Sequence, residues 1–189
     1  VSDFAIGEYW DWRYRKTKRG SGEGSRGAAA AAKAAFVNDL IREKQVETVI
    51  DWGCGDGEVA RQFEVAEYIG LDISTAAVEI CSRRITGPGR TFLHFDGFTP
   101  PDLPPAQLAL SLDVIFHQVD DDSYRRHLEL VFGSAPLVCI HSSNHDEQTG
   151  VAHFLSRAFV RDIPAAWRCL REGPEGATGF WVFEKEESS

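Results

Sequence analysis

Three glycines at alternate positions, Gly53, Gly55 and Gly57, follow directly on the run Val49-Ile50-Asp51-Trp52. No other stretch of the chain narrows the possible folds as much. The run reads as a buried strand with an acid at its end. The glycines after it let the backbone bend sharply and approach a ligand closely, because no Cβ stands in the way. Twenty-one residues beyond Asp51, a second strand-like run, Tyr68-Ile69-Gly70-Leu71-Asp72, ends in another carboxylate. In a nucleotide-binding βαβ unit that is the place of the acid that receives the ribose hydroxyls. Strand, glycine turn and second acid together predict a site for an adenosine-containing cofactor.

From residue 48 onward, strand-like and helix-like runs alternate, which argues for a parallel sheet covered on both faces. Strands are expected at 48–51, 68–72, 90–95, 108–112 and 137–141, and helices at 58–63, 75–84, 121–132 and around 151–160. The tail differs. Two strand-like runs, 167–171 and 178–184, flank Gly173-Pro174-Glu175-Gly176, and strands joined by so short a loop must be antiparallel. Ahead of the alternation, Tyr9-Trp10-Asp11-Trp12-Arg13-Tyr14 places four aromatics in six positions, and the basic run Arg15-Lys16-Thr17-Lys18-Arg19 follows. Residues 20–27 are rich in Gly and Ser and are not expected to be regular, whereas the alanine run from Ala28 predicts a helix. Aromatics need burial and a Gly/Ser hinge lets them fold over, so 1–27 reads as a lid and 28–189 as a single domain.

At 189 residues, 43% hydrophobic and 26% charged, the chain has the composition of a soluble globular domain. No apolar run is long enough to span a bilayer, and no signal-peptide pattern opens the sequence. A net charge of −9 argues against a long nucleic-acid footprint, since phosphate contacts need Lys and Arg. Cys54, Cys81, Cys139 and Cys169 show no C-x-x-C spacing, so free thiols in a reducing cytoplasm are expected. Oligomeric state leaves no signal in the sequence.

A dinucleotide site wants G-x-G-x-x-G with a helix N-terminus open to pyrophosphate. Here Asp51 precedes the glycines and Asp56 lies among them, and two negative charges would repel a pyrophosphate. They suit a positively charged ligand, and S-adenosylmethionine carries both a sulfonium and an ammonium. The loop resembles motif I of the class I S-adenosylmethionine-dependent methyltransferases, E/D-x-G-x-G-x-G. The N-terminal Tyr-Trp-x-x-Arg-Tyr and Gly-x-Gly-Ser-x-Gly elements, Ser111-Leu112-Asp113-Val114-Ile115-Phe116-His117, and Ser142-Ser143-Asn144 extend the likeness. In these the chain is similar to a group of short bacterial methyltransferases, mostly of unassigned substrate. The resemblance implies a doubly wound, Rossmann-like, seven-stranded, mostly parallel sheet closed by a C-terminal antiparallel hairpin. It implies S-adenosylmethionine as cofactor and S-adenosylhomocysteine as product. Asp51, Gly53, Cys54 and Gly55 would wrap the methionine part, and Asp72 would hold the ribose. Ile73, Asp96, Gly97 and Phe98 would surround the adenine. Trp10, Arg13 and Ser25 would close over the ligand, and Asp113 would lie beside it.

Alternatives stand beside several of these readings. Asp72 could be a helix N-cap, although Ser74 caps better, and Asp96-Gly97 could be a turn without a ligand. The chain could bind its cofactor as a non-catalytic partner subunit, or be a nicotinamide-dependent oxidoreductase. For a hydroxyl acceptor a base is needed, and histidine suits neutral pH. His117 is the first candidate and His141 the second, with His145 and His153 behind them. The acids Asp113, Asp120, Asp121 and Asp122 could serve magnesium, but 121–123 reads as an ordinary acidic helix start, and no metal is expected. There is no amino-methylating Asn/Asp-Pro-Pro-Tyr/Phe segment and no Pro-Cys nucleophile. A small, sugar-like hydroxyl acceptor is therefore the expected substrate.

Overall fold

The computed structural model describes residues 6–17, 20–148, 150–174 and 177–186. Lys18 and Arg19 of the basic run, and Glu175 and Gly176 of the C-terminal turn, lie outside the described residues. The strands form one seven-stranded sheet in the order β3-β2-β1-β4-β5-β9-β8, with a separate two-stranded pair, β6-β7. This is the Rossmann-like arrangement expected, mostly parallel and closed by an antiparallel C-terminal hairpin. The chain divides into two compact units, Val1–Leu103 and Pro104–Ser189.

The first unit begins with α1 (Ile6–Lys16), a 3₁₀ turn at Glu23–Ser25 and α2 (Gly27–Lys44). The aromatic run is thus a helix, and the Gly/Ser stretch after it holds only the short 3₁₀ turn among the described residues. Alanines give α2 its helix propensity, and its stripe Ala30, Ala34, Val37, Leu40 and Ile41 is buried. The helix stops where Gln45 turns left-handed at φ 53°, and Val46 N–H reaches back to the Ile41 carbonyl at 2.9 Å. Then come β1 (Thr48–Trp52), β2 (Glu67–Asp72), α3 (Thr75–Arg84) and β3 (Arg90–His94), with all three strands parallel.

The helix expected at 58–63 is absent; a 3₁₀ turn, Ala60–Gln62, stands in its place. The cause is Asn38 of α2. Its amide donates to the Gln62 carbonyl and accepts from Glu64 N–H, both at 2.9 Å. Those backbone groups are then satisfied without a helix, and Phe63 extends to pack on Tyr68 with ring centroids 5.8 Å apart.

The second unit holds β4 (Leu108–Leu112), a 3₁₀ turn at Ile115–His117, α4 (Asp121–Ser134) and β5 (Leu137–Ser142). It continues with β6 (Glu147–Gln148), β7 (Leu155–Ser156), β8 (Trp167–Arg171) and β9 (Gly179–Lys185). Parallel β4 and β5 carry Leu108-Ala109-Leu110 and Val138-Cys139-Ile140 fully buried, the continuous apolar pattern of strands covered on both faces. Strand β9 runs antiparallel to both β5 and β8.

A helix was also expected around 151–160, and β7 and a 3₁₀ turn (Phe159–Asp162) occupy that segment instead. Two side chains take the backbone donors a helix would use. Asp146 accepts from Ala158 N–H and Asn144 from Val160 N–H, each at 3.1 Å. Phe159 is left fully buried, edge-on to Trp181.

Candidate cofactor site and histidine centre

In the N-terminal unit, all three loop glycines have positive φ: 93° at Gly53, 60° at Gly55 and 75° at Gly57. A side chain at Gly57 would also collide with Ile85 and Cys81. The D-x-G-x-G-x-G pattern is therefore a backbone requirement.

Asp51 is buried, and its Oδ2 accepts from the Tyr68 hydroxyl at 2.7 Å. Its Oδ1 is buried with no hydrogen-bond partner among the described residues. Burial pushes its pKa up to about 6, with the Tyr68 bond opposing and Asp72 adding to the rise. A buried carboxylate oxygen without a partner costs free energy that a cationic group beside it would recover. The ammonium of S-adenosylmethionine has that chemistry, so the residues present fit this cofactor.

Asp72 closes the loop. Its Oδ2 accepts from Gly55 N–H at 2.9 Å and its Oδ1 from Ser74 N–H at 2.8 Å. Each oxygen retains acceptor capacity for a hydroxyl donor. Burial also raises this carboxyl to about 6, with backbone donation from Ser74 and Gly55 opposing. The N-cap of α3 is Ser74, which accepts from Ala77 N–H at 3.2 Å. Cys54 turns its thiol toward Gly70 and the Gly55 carbonyl, which Cys81 also approaches at 3.2 Å.

At the end of β3, Asp96 accepts from Phe98 N–H at 2.8 Å and Thr99 N–H at 2.6 Å. Donation from Thr99 and Phe98 lowers its pKa. Phe98 is 48% exposed, and Gly97 lies against the Ile73 side chain. Asp96, Gly97, Phe98 and Ile73 are thus gathered at one edge of the unit, with an apolar ring open to solvent.

The N-terminal segment is fastened to this site through residues the sequence did not single out. Asp11 of α1 accepts from the Ser74 hydroxyl at 2.7 Å and from Ala76 N–H at 2.9 Å. Burial would raise its pKa, but the bonds from Ala76, Ser74, Arg15 and Thr75 together hold it well below the usual carboxylate range. Tyr14 shares a hydrogen bond with Ser21 at 2.9 Å, and Ser21 donates to Asp56 at 2.9 Å. Arg26 forms an ion pair with the same Asp56. Arg13 lies over Trp10 at 5.2 Å and donates to the Gly20 carbonyl, while Ser25 sits in the 3₁₀ turn. The sequence reading gave the charge of Asp56 to a cationic ligand, and in the structure Arg26 takes it instead.

In the C-terminal unit, Asp113 is left-handed at φ 61°, an uncommon conformation for a residue with a side chain. Its N–H donates to the His141 carbonyl at 2.9 Å, and its carboxylate faces His141 Nδ1 at 2.6 Å. A carboxylate can only accept here, so Nδ1 carries the proton and Nε2 is left as the acceptor. His117 points Nδ1 at the His153 carbonyl, 2.7 Å away, and stacks on the His153 ring. His145 pairs with Glu147 at 3.2 Å. His127 is a core residue: it hydrogen-bonds Ser111 at 2.8 Å, and burial lowers its pKa to about 4. Thus the structure brings Asp113 and His141 together and places His117 with His153.

A family model described as a methyltransferase domain matches residues 49–133. The fold is similar to the N-methyltransferase NodS of Bradyrhizobium japonicum WM9 in complex with S-adenosylhomocysteine, with a TM-score of 0.76, 10% identity, and 96% of this chain and 99% of that one covered. It is similar also to the magnesium protoporphyrin IX methyltransferase of Synechocystis PCC 6803 with bound S-adenosylmethionine, with a TM-score of 0.72, 14% identity, and 98% and 100% covered. A third likeness is to an S-adenosylmethionine-dependent methyltransferase of Anabaena variabilis ATCC 29413, with a TM-score of 0.64, 18% identity, and 95% and 93% covered. No curated protein matches the sequence.

Proposed function

We propose that the chain, whose residues 49–133 match a methyltransferase-domain model, acts as a class I S-adenosylmethionine-dependent methyltransferase on a hydroxyl of a small, sugar-like acceptor, with His141 as general base. The observation that carries the reading is the Asp113–His141 pair, which leaves one imidazole nitrogen free to take a proton. A neutral amine has a lone pair ready to attack a sulfonium methyl, whereas a hydroxyl at neutral pH needs a base. The solved neighbours include a porphyrin enzyme and an N-methyltransferase, so the fold by itself selects no receiving atom.

S-adenosylmethionine supplies an electrophilic methyl group with a good leaving group attached. For its binding we assign Asp51 to the ammonium, Asp72 to the ribose hydroxyls, and Asp96, Gly97, Phe98 and Ile73 to the adenine. The Asp11, Ser21 and Arg26 contacts support residues 1–27 as the lid over this site, and 28–189 as the methyltransferase domain. His141 Nε2 would accept the acceptor's hydroxyl proton, leaving the oxygen able to take the methyl group as its bond to sulfur breaks. Asp113 keeps the ring in the required tautomer and steadies the imidazolium. His117 is the second candidate for the same task.

The net charge of −9 supports a small molecule over nucleic acid as substrate. Four cysteines without a disulfide support a reducing, cytoplasmic setting. Among the described residues no helix is long and apolar enough to cross a membrane.

Replacing His141 with Ala is expected to lower kcat by at least about a hundredfold, with S-adenosylhomocysteine affinity unchanged by calorimetry. An equal loss in both would make His141 a binding or packing residue. A loss seen only with His117→Ala would move the base to His117.

A further inference from the structure

A loop rich in glycine has few side chains to hold it, and each glycine widens the range of conformations open to it. Its shape then depends on where its backbone N–H groups go. All five of residues 53–57 have a partner. Gly53 and Cys54 donate to the Leu71 carbonyl at 2.8 and 3.0 Å, and Gly57 donates to the Cys54 carbonyl at 3.3 Å. Gly55 donates to the Asp72 carboxylate at 2.9 Å. Those four bonds stay within the loop and β2. The fifth does not: Asp56 N–H donates to Ser21 Oγ at 3.2 Å, thirty-five residues back along the chain.

The Ser21 hydroxyl is saturated by this task. It carries one proton, which goes to Asp56 Oδ1 at 2.9 Å. Its two lone pairs accept from Asp56 N–H and from the Tyr14 hydroxyl at 2.9 Å. Tyr14 must be the donor in that bond, because the serine proton is already placed. Nothing is left over for a ligand. The carboxylate that takes the serine proton is gripped on both oxygens by Arg26, immediately before α2. The backbone on either side of Ser21 is fixed as well. Arg13 donates to the Gly20 carbonyl at 2.8 Å, and Lys33 of α2 donates to the Gly24 carbonyl at 2.7 Å. Gly20 is left-handed at φ 50°, and a side chain there would collide with Arg26 and Asp56. A Cβ at Gly55 would strike Ser21 and Tyr14, so this segment lies directly on the loop.

We infer that Ser21 is a positioning residue for the cofactor. Its hydroxyl completes the backbone hydrogen bonding of the glycine loop and holds it in its binding shape without touching the ligand. A loop ordered in advance loses less freedom when the ligand arrives, and binds more tightly for that reason. The inference rests on the assignment of the glycine loop to S-adenosylmethionine and deepens it by naming what keeps the loop ready.

The test uses the full chain and its Ser21→Ala, Tyr14→Phe and doubly substituted variants, with S-adenosylhomocysteine as the probe. Ser21→Ala should weaken calorimetric binding about tenfold. Amide exchange at Gly55, Asp56 and Gly57 of the ligand-free variant should quicken, while β1 and β2 keep their protection and the thermal midpoint holds. Tyr14→Phe removes the hydroxyl that bonds Ser21; it should weaken binding about threefold alone and not at all once Ser21 is alanine. Unchanged affinity in Ser21→Ala overturns the inference. So does a fall in thermal midpoint or sheet protection alongside the affinity, which would make Ser21 a structural residue of the whole unit. Losses from the two substitutions that multiply would show each hydroxyl acting on the ligand separately, and overturn it too. The wild-type chain separates this inference from the assignment beneath it. If S-adenosylhomocysteine binds without slowing exchange at residues 53–57, the loop is not the cofactor site and both fall. If those amides respond while Ser21→Ala binds as wild type, only the role of Ser21 falls.

Discussion

The unit Val1–Leu103 buries acids at its site, Asp51 and Asp72, whereas Pro104–Ser189 buries a histidine, His127, in its core. Burial penalises charge in both, and the consequences run in opposite directions. The two carboxyls are pushed up to about 6 and the imidazole down to about 4. In the folded N-terminal unit the acids bind protons that the unfolded chain, with carboxyls near 3.9, releases. Their charge therefore costs stability at neutral pH, and the cost fades as pH falls through about 6. His127 is the reverse case. The unfolded chain takes a proton near 6.5 that the folded one refuses, so its contribution is intact above 6.5 and is lost between 6.5 and 4. The difference teaches what each burial is for. A buried acid with an unpartnered oxygen holds an electrostatic cost that only a further group can relieve, while a buried neutral imidazole bonded to Ser111 is packing.

The sharpest way to break this contrast is to remove its histidine. His127→Gln should keep a bond to Ser111 and abolish the acid-side loss, worth about 3 kcal/mol between pH 7 and 4. Urea denaturation across that range measures it, and an unchanged pH profile would mean that His127 is not the group that titrates. Next in size is the acid side of the comparison. Asp72→Ala should weaken S-adenosylhomocysteine binding roughly ten- to a hundredfold. It should also loosen the Gly55 and Ser74 backbone, visible as faster amide exchange at those two residues. Affinity that survives the substitution would reduce Asp72 to a loop fastener. The smallest expected effect concerns Asp11. Its replacement by Ala removes acceptors for the start of α3 and should cost about 1 kcal/mol, read as a small drop in thermal midpoint. No drop would mean that Ser74 caps the helix unaided.

The strands were readable because an interior parallel strand is a continuous apolar run, as in β4 and β5, and because the glycine loop announces the turn after β1. What could not be read was set by partners far along the chain. The segment after Gly57 has helical composition, but Asn38 from another helix claims its backbone groups. The 151–160 segment fails as a helix for the same reason, through Asn144 and Asp146. At the site, residue types were visible and their pairings were not. His141 and Asp113 stand 28 residues apart, and nothing local marks one as the other's partner. The sequence favoured His117 as base on its position after Asp113; in the structure both rings are oriented through Nδ1, His117 by the His153 carbonyl and His141 by the Asp113 carboxylate. Likewise the N-terminal segment was read as a lid from its aromatics, and its fastening depends on small polar residues, Asp11 and Ser21, and on Arg26.

Asp11 has a wider bearing. Helix α3 starts beside the glycine loop, and part of its first turn is satisfied by a carboxylate from α1, more than sixty residues earlier. Such long-range completion ties the order of the first helix to that of the third. The aromatic arm and the strand-loop-helix unit it is tied to should therefore melt together as one cooperative block, and a chain trimmed to begin at α2 would carry a frayed start to α3 beside the glycine loop.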